Sequence, residues 1–509
     1  MNNPSTIHIT LPDGELIGLR EDALAIWRGI PYAAPPLGEL RWRAPQPVER
    51  WEGVREAFDN GSACWQDEVA CSEMGGGSPG SLSEDCLWLN VFAPAESSEP
   101  LPVMVWLHGG GYTIGSAGLP PYDGRALARR GVVLVSVNYR LGHFGFFSHP
   151  ALDDEEQEGP VANFALLDQI AALRWVQQNI HLFGGDAGRV TLFGESAGAR
   201  SVLSLMASPL AKGLFHQAAV QSAYTLDDVP LSKARTRSQT LINALLPHDN
   251  DAPPLTAAEL RAIPAQDIAQ ASVACSTGPV PIAGDRVLPV PMLETFFATR
   301  QHRMPVLIGS NSDEASVMAW FGMDLAEQIQ RLRREQRLGL ALIRLLYPRV
   351  RGDAQLGRVV CRDMAFTTLG LVVMQAQQRA GQPCWRYYFD YVSESGRSQF
   401  PDGAWHGNDI PYVFDNLDLA PVVMGRDFDD QDRAFAALVA DYWVSFARSA
   451  GSHTQSLPGP MAWPACSGKH SRTLGLGVGS RYRLRLWRGF MQLRLQFFKR
   501  VMRHHVTLD

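Results

Sequence analysis

Two short stretches of this 509-residue chain combine residue types and spacing suited to acyl transfer. Gly194-Glu195-Ser196-Ala197-Gly198 sets a serine between two glycines. The apolar run Val190-Thr191-Leu192-Phe193 comes before it, and the helix-competent Ala199-Arg200-Ser201-Val202-Leu203 comes after. A serine on so sharp a strand-to-helix turn stands exposed for attack on a carbonyl. The flanking glycines let the turn close where any Cβ would meet neighbouring backbone, and the helix N-terminus favours a developing negative charge. His108-Gly109-Gly110-Gly111-Tyr112 directly follows a second apolar run, Val103-Met104-Val105-Trp106-Leu107. Acyl transfer creates a tetrahedral oxyanion, and losing one fixed N–H donor to it typically costs about 3–4 kcal/mol. The amides of Gly110, Gly111 and Ala197 are the expected donors.

A serine hydroxyl needs a base, and the base needs an orienting carboxylate. Behind an elbow of this kind the chain order is serine, acid, histidine. Eight of the thirteen histidines follow Ser196. His216 sits in an apolar helix-like run, and His504 and His505 lie in the terminal tail. His406, in Gly403-Ala404-Trp405-His406-Gly407-Asn408-Asp409, occupies a loop after a strand, and spacing makes it the favourite without deciding the matter. For the acid, the run Pro305-Val306-Leu307-Ile308 leads into Gly309-Ser310-Asn311-Ser312-Asp313-Glu314. Carboxylates at the C-terminal end of a strand face the active edge of a parallel sheet. Asp313 and Glu314 both qualify, with a helix N-cap as the alternative role for Asp313.

The elements that must hold these groups are legible as buried strands alternating with helices. Residues 87–92, 102–107, 132–137 and 190–193 are continuous apolar runs of strand length, the mark of a sheet covered on both faces. Residues 163–181 carry apolar positions at helical spacing, and strand-like units recur at 217–221, 305–308 and 385–391. This pattern predicts an α/β fold with a large, mostly parallel sheet flanked by helices. There is no internal repeat and no long linker, so residues 1–480 read as one domain with insertions. Residues 481–509, rich in arginine beside leucine and aromatics, read as a basic amphipathic C-terminal helix or tail. Gly75-Gly76-Gly77-Ser78-Pro79-Gly80 lacks the strand-to-helix setting of a phosphate cradle and reads as a surface loop.

A formal net charge of -6 excludes the basic footprint of a nucleic-acid binder. The N-terminal residues show no secretory signal, and no run reaches the eighteen or so apolar residues of a membrane span. The expectation is a soluble, cytoplasmic protein. Seven scattered cysteines, at 64, 71, 86, 275, 361, 384 and 466, form neither a disulfide framework nor a metal-ligand spacing. No metal is expected.

Together with the two glycine motifs, Gly29-Ile30-Pro31-Tyr32-Ala33, Glu84-Asp85-Cys86-Leu87-Trp88-Leu89-Asn90-Val91, Asn138-Tyr139-Arg140-Leu141-Gly142 and Phe183-Gly184-Gly185-Asp186 resemble the type-B carboxylesterase/cholinesterase-like family. The likeness runs from about residue 14 to 463, and is nearest in character to bacterial para-nitrobenzyl-esterase-like members. It implies an α/β-hydrolase fold, no metal or organic cofactor, and hydrolysis of carboxylic esters. It also selects His406, which matches the family's His-Gly-x-acid segment, and Glu314, which matches the glutamate of its Asp-Glu-Gly segment. Ala315 stands here where the family has glycine. Glu195 and Ser222 match positions beside the triad. Glu195 is expected to shape the electrostatics near His406, and Ser222 to hydrogen-bond on the acid side.

The family loop matching 64–86 carries, in cholinesterases, a cation-binding tryptophan. Here no aromatic residue lies between Trp65 and Cys86, and a quaternary ammonium needs an aromatic face. In related lipases the same loop is a long apolar lid, whereas here it is short, acidic and glycine-rich. The expected substrate is therefore a small or medium uncharged ester. Secreted relatives close this loop with a disulfide, and free thiols are expected at Cys64 and Cys86. Amide, carbamate or thioester hydrolysis by the same triad is the alternative, followed by a non-catalytic binding protein. Tyr112, Met318 and Trp320 are expected pocket liners. The tail is expected to pack on the domain, with peripheral contact to an anionic membrane surface as its second reading.

Overall fold

Apolar residues run unbroken through the central strands because both faces of the sheet are covered. The computed structural model describes residues 5–155, 159–246, 253–274, 280–425, 427–452, 454–466 and 471–506. Cys275 and the last three residues of the tail lie outside them, as does the side chain of His505.

Thirteen strands form one sheet. They are β1 (Ser5–Leu11), β2 (Gly14–Glu21), β3 (Leu24–Pro31), β4 (Val54–Glu56), β5 (Trp88–Pro94), β6 (Leu101–Leu107) and β7 (Val133–Val137). Then come β8 (Gly185–Glu195), β9 (Gln217–Gln221), β10 (Val306–Asn311), β11 (Cys384–Phe389), β12 (Arg472–Leu476) and β13 (Leu484–Arg488). The spatial order is β1-β2-β3-β5-β7-β6-β8-β9-β10-β11-β12-β13, with β4 beside β2. Neighbours from β7 to β12 run parallel, and the pairs on either side of that block are antiparallel except for the parallel β2–β4 pair.

Alternation along β6 shows how the sheet divides the interior. Val103, Val105 and Leu107 enter one core, while Met104 and Trp106 enter the other. Helix α1 (Phe164–Asn179) and helix α2 (Ala197–Ala207) contribute to the first core. A third, small apolar cluster lies apart. It joins α3 (Leu325–Glu335), α4 (Arg337–Leu346), α5 (Asp353–Cys361) and α8 (Gln492–Val506) through Ile329, Leu340, Tyr347, Leu356, Val360 and Phe498. Between them in sequence come α6 (Thr368–Arg379) and α7 (Asp430–Arg448), the latter packed over the second core.

Two features differ from the sequence expectations. Residues Asp353–Arg379 make a helical stretch long and apolar enough to cross a membrane, but most of it is buried within the molecule, as a core helix is. The start of the tail is not helical: β13 pairs antiparallel with β12, Trp487 opposite Thr473. Leu484 and Leu486 pack toward the second core while Arg483 and Arg485 are exposed. That two-residue alternation suits a half-covered edge strand, and only Gln492–Val506 is helical.

Candidate active site

Ser196 follows the last residue of β8 and precedes the first residue of α2, with φ 54° and ψ −119°, a strained backbone for a residue with a Cβ. Its neighbours explain why the strain holds. A Cβ on Gly198 would collide with the Leu107 carbonyl oxygen, and one on Gly194 would lie 2.7 Å from that same atom. Helix α2 is thus seated directly on the end of β6. The Ser196 amide donates to Gln221 O of β9 at 2.9 Å. The residue is buried but retains 8% exposure.

The loop after β6 lies against the elbow. Gly109 is so close that a Cβ there would come 2.6 Å from Glu195 Oε2 and 3.2 Å from Ser196 Cβ. Gly110 and Gly111 have φ of +100° and +62°. Among the described residues, no group accepts a hydrogen bond from the amides of Gly110, Gly111 or Ala197. His108 braces this loop: its ring stacks on Tyr139 at 4.4 Å, and Tyr139 OH donates to its carbonyl oxygen at 2.6 Å. Burial lowers the His108 pKa to about 4, so this imidazole is neutral. Tyr112, expected to line the pocket, instead stands wholly buried behind the loop, its hydroxyl on Ser201. Positive φ at Tyr112 turns its ring inward, against Phe146. Met318 is half-buried and Trp320 exposed.

His406 brings the distant pieces together. Its Nε2 lies 2.8 Å from Ser196 Oγ, and its Nδ1 lies 2.5 Å from Glu314 Oε2. A proton on Nδ1 toward Glu314 leaves Nε2 as the acceptor for the serine hydroxyl. The backbone holds the ring in place: the His406 amide donates to Ser316 Oγ at 2.9 Å, and Asn311 Nδ2 donates to Trp405 O at 2.8 Å. Glu314 is wholly buried and its Oε1 accepts from the Asn311 amide at 2.6 Å. Ala315 follows without a positive φ, so the absent glycine does not disturb the glutamate's path. Asp313 points elsewhere, to an ion pair with Arg358 of α5, and makes no side-chain cap. Burial raises its pKa to about 7 against the opposing pull of Arg358.

Glu195 places Oε1 3.2 Å from His406 Nε2, and that oxygen has no hydrogen-bond partner among the described residues. Burial raises the Glu195 pKa to about 8, opposed by His406. For His406, burial lowers the pKa, but the carboxylates of Glu195, Glu314 and Asp409 outweigh it and raise it to about 9. The two shifts belong to one coupled equilibrium. A proton on Glu195 removes the leading charge that holds a proton on the imidazole, which then yields its own more readily.

Ser222 does not do what was expected of it. Its hydroxyl is buried with no hydrogen-bond partner among the described residues, and its backbone is strained at φ 54°. The Ser222 amide donates to Gly309 O at 3.0 Å, so its tie to this region is through the backbone. The support comes from residues that sequence reasoning missed. Asp409 accepts from Gln221 Nε2 at 3.0 Å, Asn311 Nδ2 at 3.1 Å and Tyr387 OH at 3.3 Å, and Trp443 of α7 donates to Gln221 Oε1 at 3.0 Å. Only Asp409 beside His406 carried any signal, as a second acid in the same loop. A cleft of about 240 Å³ lined in part by Arg28, Asn90, Tyr122 and Asp123 contains none of these groups. Cys64 and Cys86 are both buried and unbridged.

The chain matches the model of the carboxylesterase family over residues 5–350 and 353–486. It belongs to the carboxylesterase family. This carboxylesterase is 36% identical to fumonisin B1 esterase of Sphingopyxis macrogoltabida, over 82% of its length and 78% of the relative's. It is 33% identical to para-nitrobenzyl esterase of Bacillus subtilis (strain 168), over 92% and 94% of the two chains. A solved structure of a PNB esterase superposes with a TM-score of 0.80 at 31% identity, covering 96% of this chain and 99% of that one. A thermophilic PNB esterase gives 0.81 at 30% identity and the same coverage. The carboxylesterase therefore has the α/β-hydrolase fold and is a carboxylic-ester hydrolase.

Proposed function

We propose that Ser196, His406 and Glu314 are the catalytic triad of a serine esterase that cleaves small to medium uncharged esters through an acyl-enzyme. The single observation that carries this reading is the imidazole bridging Ser196 Oγ at 2.8 Å and Glu314 Oε2 at 2.5 Å. As Oγ bonds to the ester carbonyl carbon, its proton passes to His406 Nε2 and the carbonyl electron pair moves onto oxygen. The amides of Gly110, Gly111 and Ala197 receive that oxyanion, a role consistent with their lack of internal acceptors. Collapse of the intermediate breaks the bond to the alkoxy oxygen, which leaves as alcohol with the proton from Nε2. Water then attacks the acyl-serine, gives a proton to Nε2, and releases the carboxylic acid as Oγ regains its proton. Glu314 holds the ring and stabilises its charged form throughout.

The uncharged substrate is supported by the loop between Trp65 and Cys86, which offers no aromatic ring to a cation. Ser196→Ala is expected to lower p-nitrophenyl butyrate turnover by roughly ten-thousand-fold or more while leaving the fold intact. It also removes labelling by a fluorophosphonate probe. A Ser196→Ala protein that keeps most of its turnover overturns the assignment, and faster cleavage of matched amides or thioesters replaces the substrate class.

A further inference from the structure

Helix α4 has apolar residues on two opposite faces. Leu340 and Tyr347 point into the third cluster with Ile329, Leu356 and Phe498. Leu338, Leu342 and Leu345, four and three residues apart, share the other face and are 84%, 52% and 76% exposed. A helix apolar on both sides has an outer face that something covers. Just before α3, Trp320, Phe321 and Met323 are exposed as well. Six of the eighteen large hydrophobics exposed among the described residues thus fall within 26 positions of the chain. The Phe321 ring stands 3.8 Å from where a Cβ on Gly111 would be, so this stretch begins at the oxyanion loop.

Charge separates this stretch from the rest of the protein. Residues 320–351 hold seven arginines against Asp324, Glu327 and Glu335, in a chain whose net charge is -6. Arg331 pairs with Glu335, and Arg333 and Arg344 pair with Asp353. Arg334, Arg337, Arg349 and Arg351 make no ion pair among the described residues, and Arg334 and Arg337 lie at the junction of α3 and α4. Leucines flanked by unpaired arginines on an exposed helix match a surface that is apolar beneath and anionic on top.

We infer that the face formed by α4 and its junction with α3 docks on an anionic lipid surface. Leu338, Leu342 and Leu345 enter the acyl layer, Arg334 and Arg337 meet the head-group phosphates, and the neighbouring Phe321 stretch brings the oxyanion loop close to that surface. The docking face shares no residue with the triad, so it stands or falls separately from the hydrolytic reading.

Sedimentation with vesicles tests it. The full-length protein is expected to pellet with equimolar phosphatidylglycerol and phosphatidylcholine, and to stay in solution with phosphatidylcholine alone. R334Q/R337Q is expected to weaken partitioning roughly thirty-fold, and L338Q/L342Q/L345Q by more than roughly a hundred-fold. Both variants keep wild-type turnover of a soluble p-nitrophenyl ester, which shows that they fold, and Ser196→Ala pellets like the wild type. Failure of the wild type to pellet with anionic vesicles, or equal pelleting by the leucine variant, overturns the proposal. So does a concentration-dependent dimer that the leucine variant loses, since a second copy is then the occupant of the face.

Discussion

The elbow at the ends of β6 and β8 and the helical lobe of α3, α4, α5 and α8 are two ways of using the same chain. At the elbow, backbone meets backbone with no room for a methyl group, and strained dihedrals persist because two cores hold them from either side of the sheet. In the lobe, a handful of buried side chains hold four helices, and leucines and arginines face outward. Position at the elbow is set by packing that cannot relax. On the inferred docking, the outer composition of the lobe is set by the surface it meets. Arg358 of α5, paired with Asp313 next to Glu314, ties the two regions together.

The contrast breaks first at Gly198. Gly198→Val drives side-chain atoms into the Leu107 carbonyl, and a loss of about 3 kcal/mol or more in unfolding free energy is expected. Denaturant titration checks it, and near-wild-type stability shows that α2 can lift off β6 after all. A middle-sized effect is expected at Glu195, where charge and not packing is at issue. On the proposed mechanism hydrolysis needs His406 unprotonated, so activity is expected above its pKa and lost as pH falls through it. Glu195→Gln removes a negative charge that favours the protonated ring, and the acid limb of kcat/KM is expected to move to lower pH by about one unit or more. An unmoved limb means that Glu195 is already protonated across the range. The smallest effect belongs to the lobe: Leu342→Gln is expected to change stability by no more than about 0.5 kcal/mol. A larger loss makes that leucine part of the fold.

The same division explains what could be read without coordinates. The strand-serine-helix elbow is local, since apolar run, glycines and helix formers are consecutive, and it stands where spacing put it. The central strands were legible as well, because burial on two faces leaves an unbroken apolar run. Choosing His406 among eight histidines, and Glu314 over Asp313, depended on pairing across 92 residues. Spacing carries no record of such pairing, and the family likeness supplied it. Asn311, Gln221 and Trp443 were invisible, being single polar residues whose meaning lies in which hydrogen bond each completes. Ser222 misled because its type suited a hydrogen bond that its buried hydroxyl does not make among the described residues. At the tail, an edge strand with alternating leucine and arginine has the composition of an amphipathic helix, and only its two-residue period tells them apart.

One hydrogen bond spans 210 residues of sequence, from Ser196 to His406. During synthesis the proposed nucleophile therefore leaves the ribosome long before the proposed base. Until residue 406 has been made, Ser196 lacks the imidazole that its hydroxyl meets in the folded protein. On the proposed mechanism, a truncated product that stops before residue 406 lacks the base and is expected not to hydrolyse esters in a timed expression experiment.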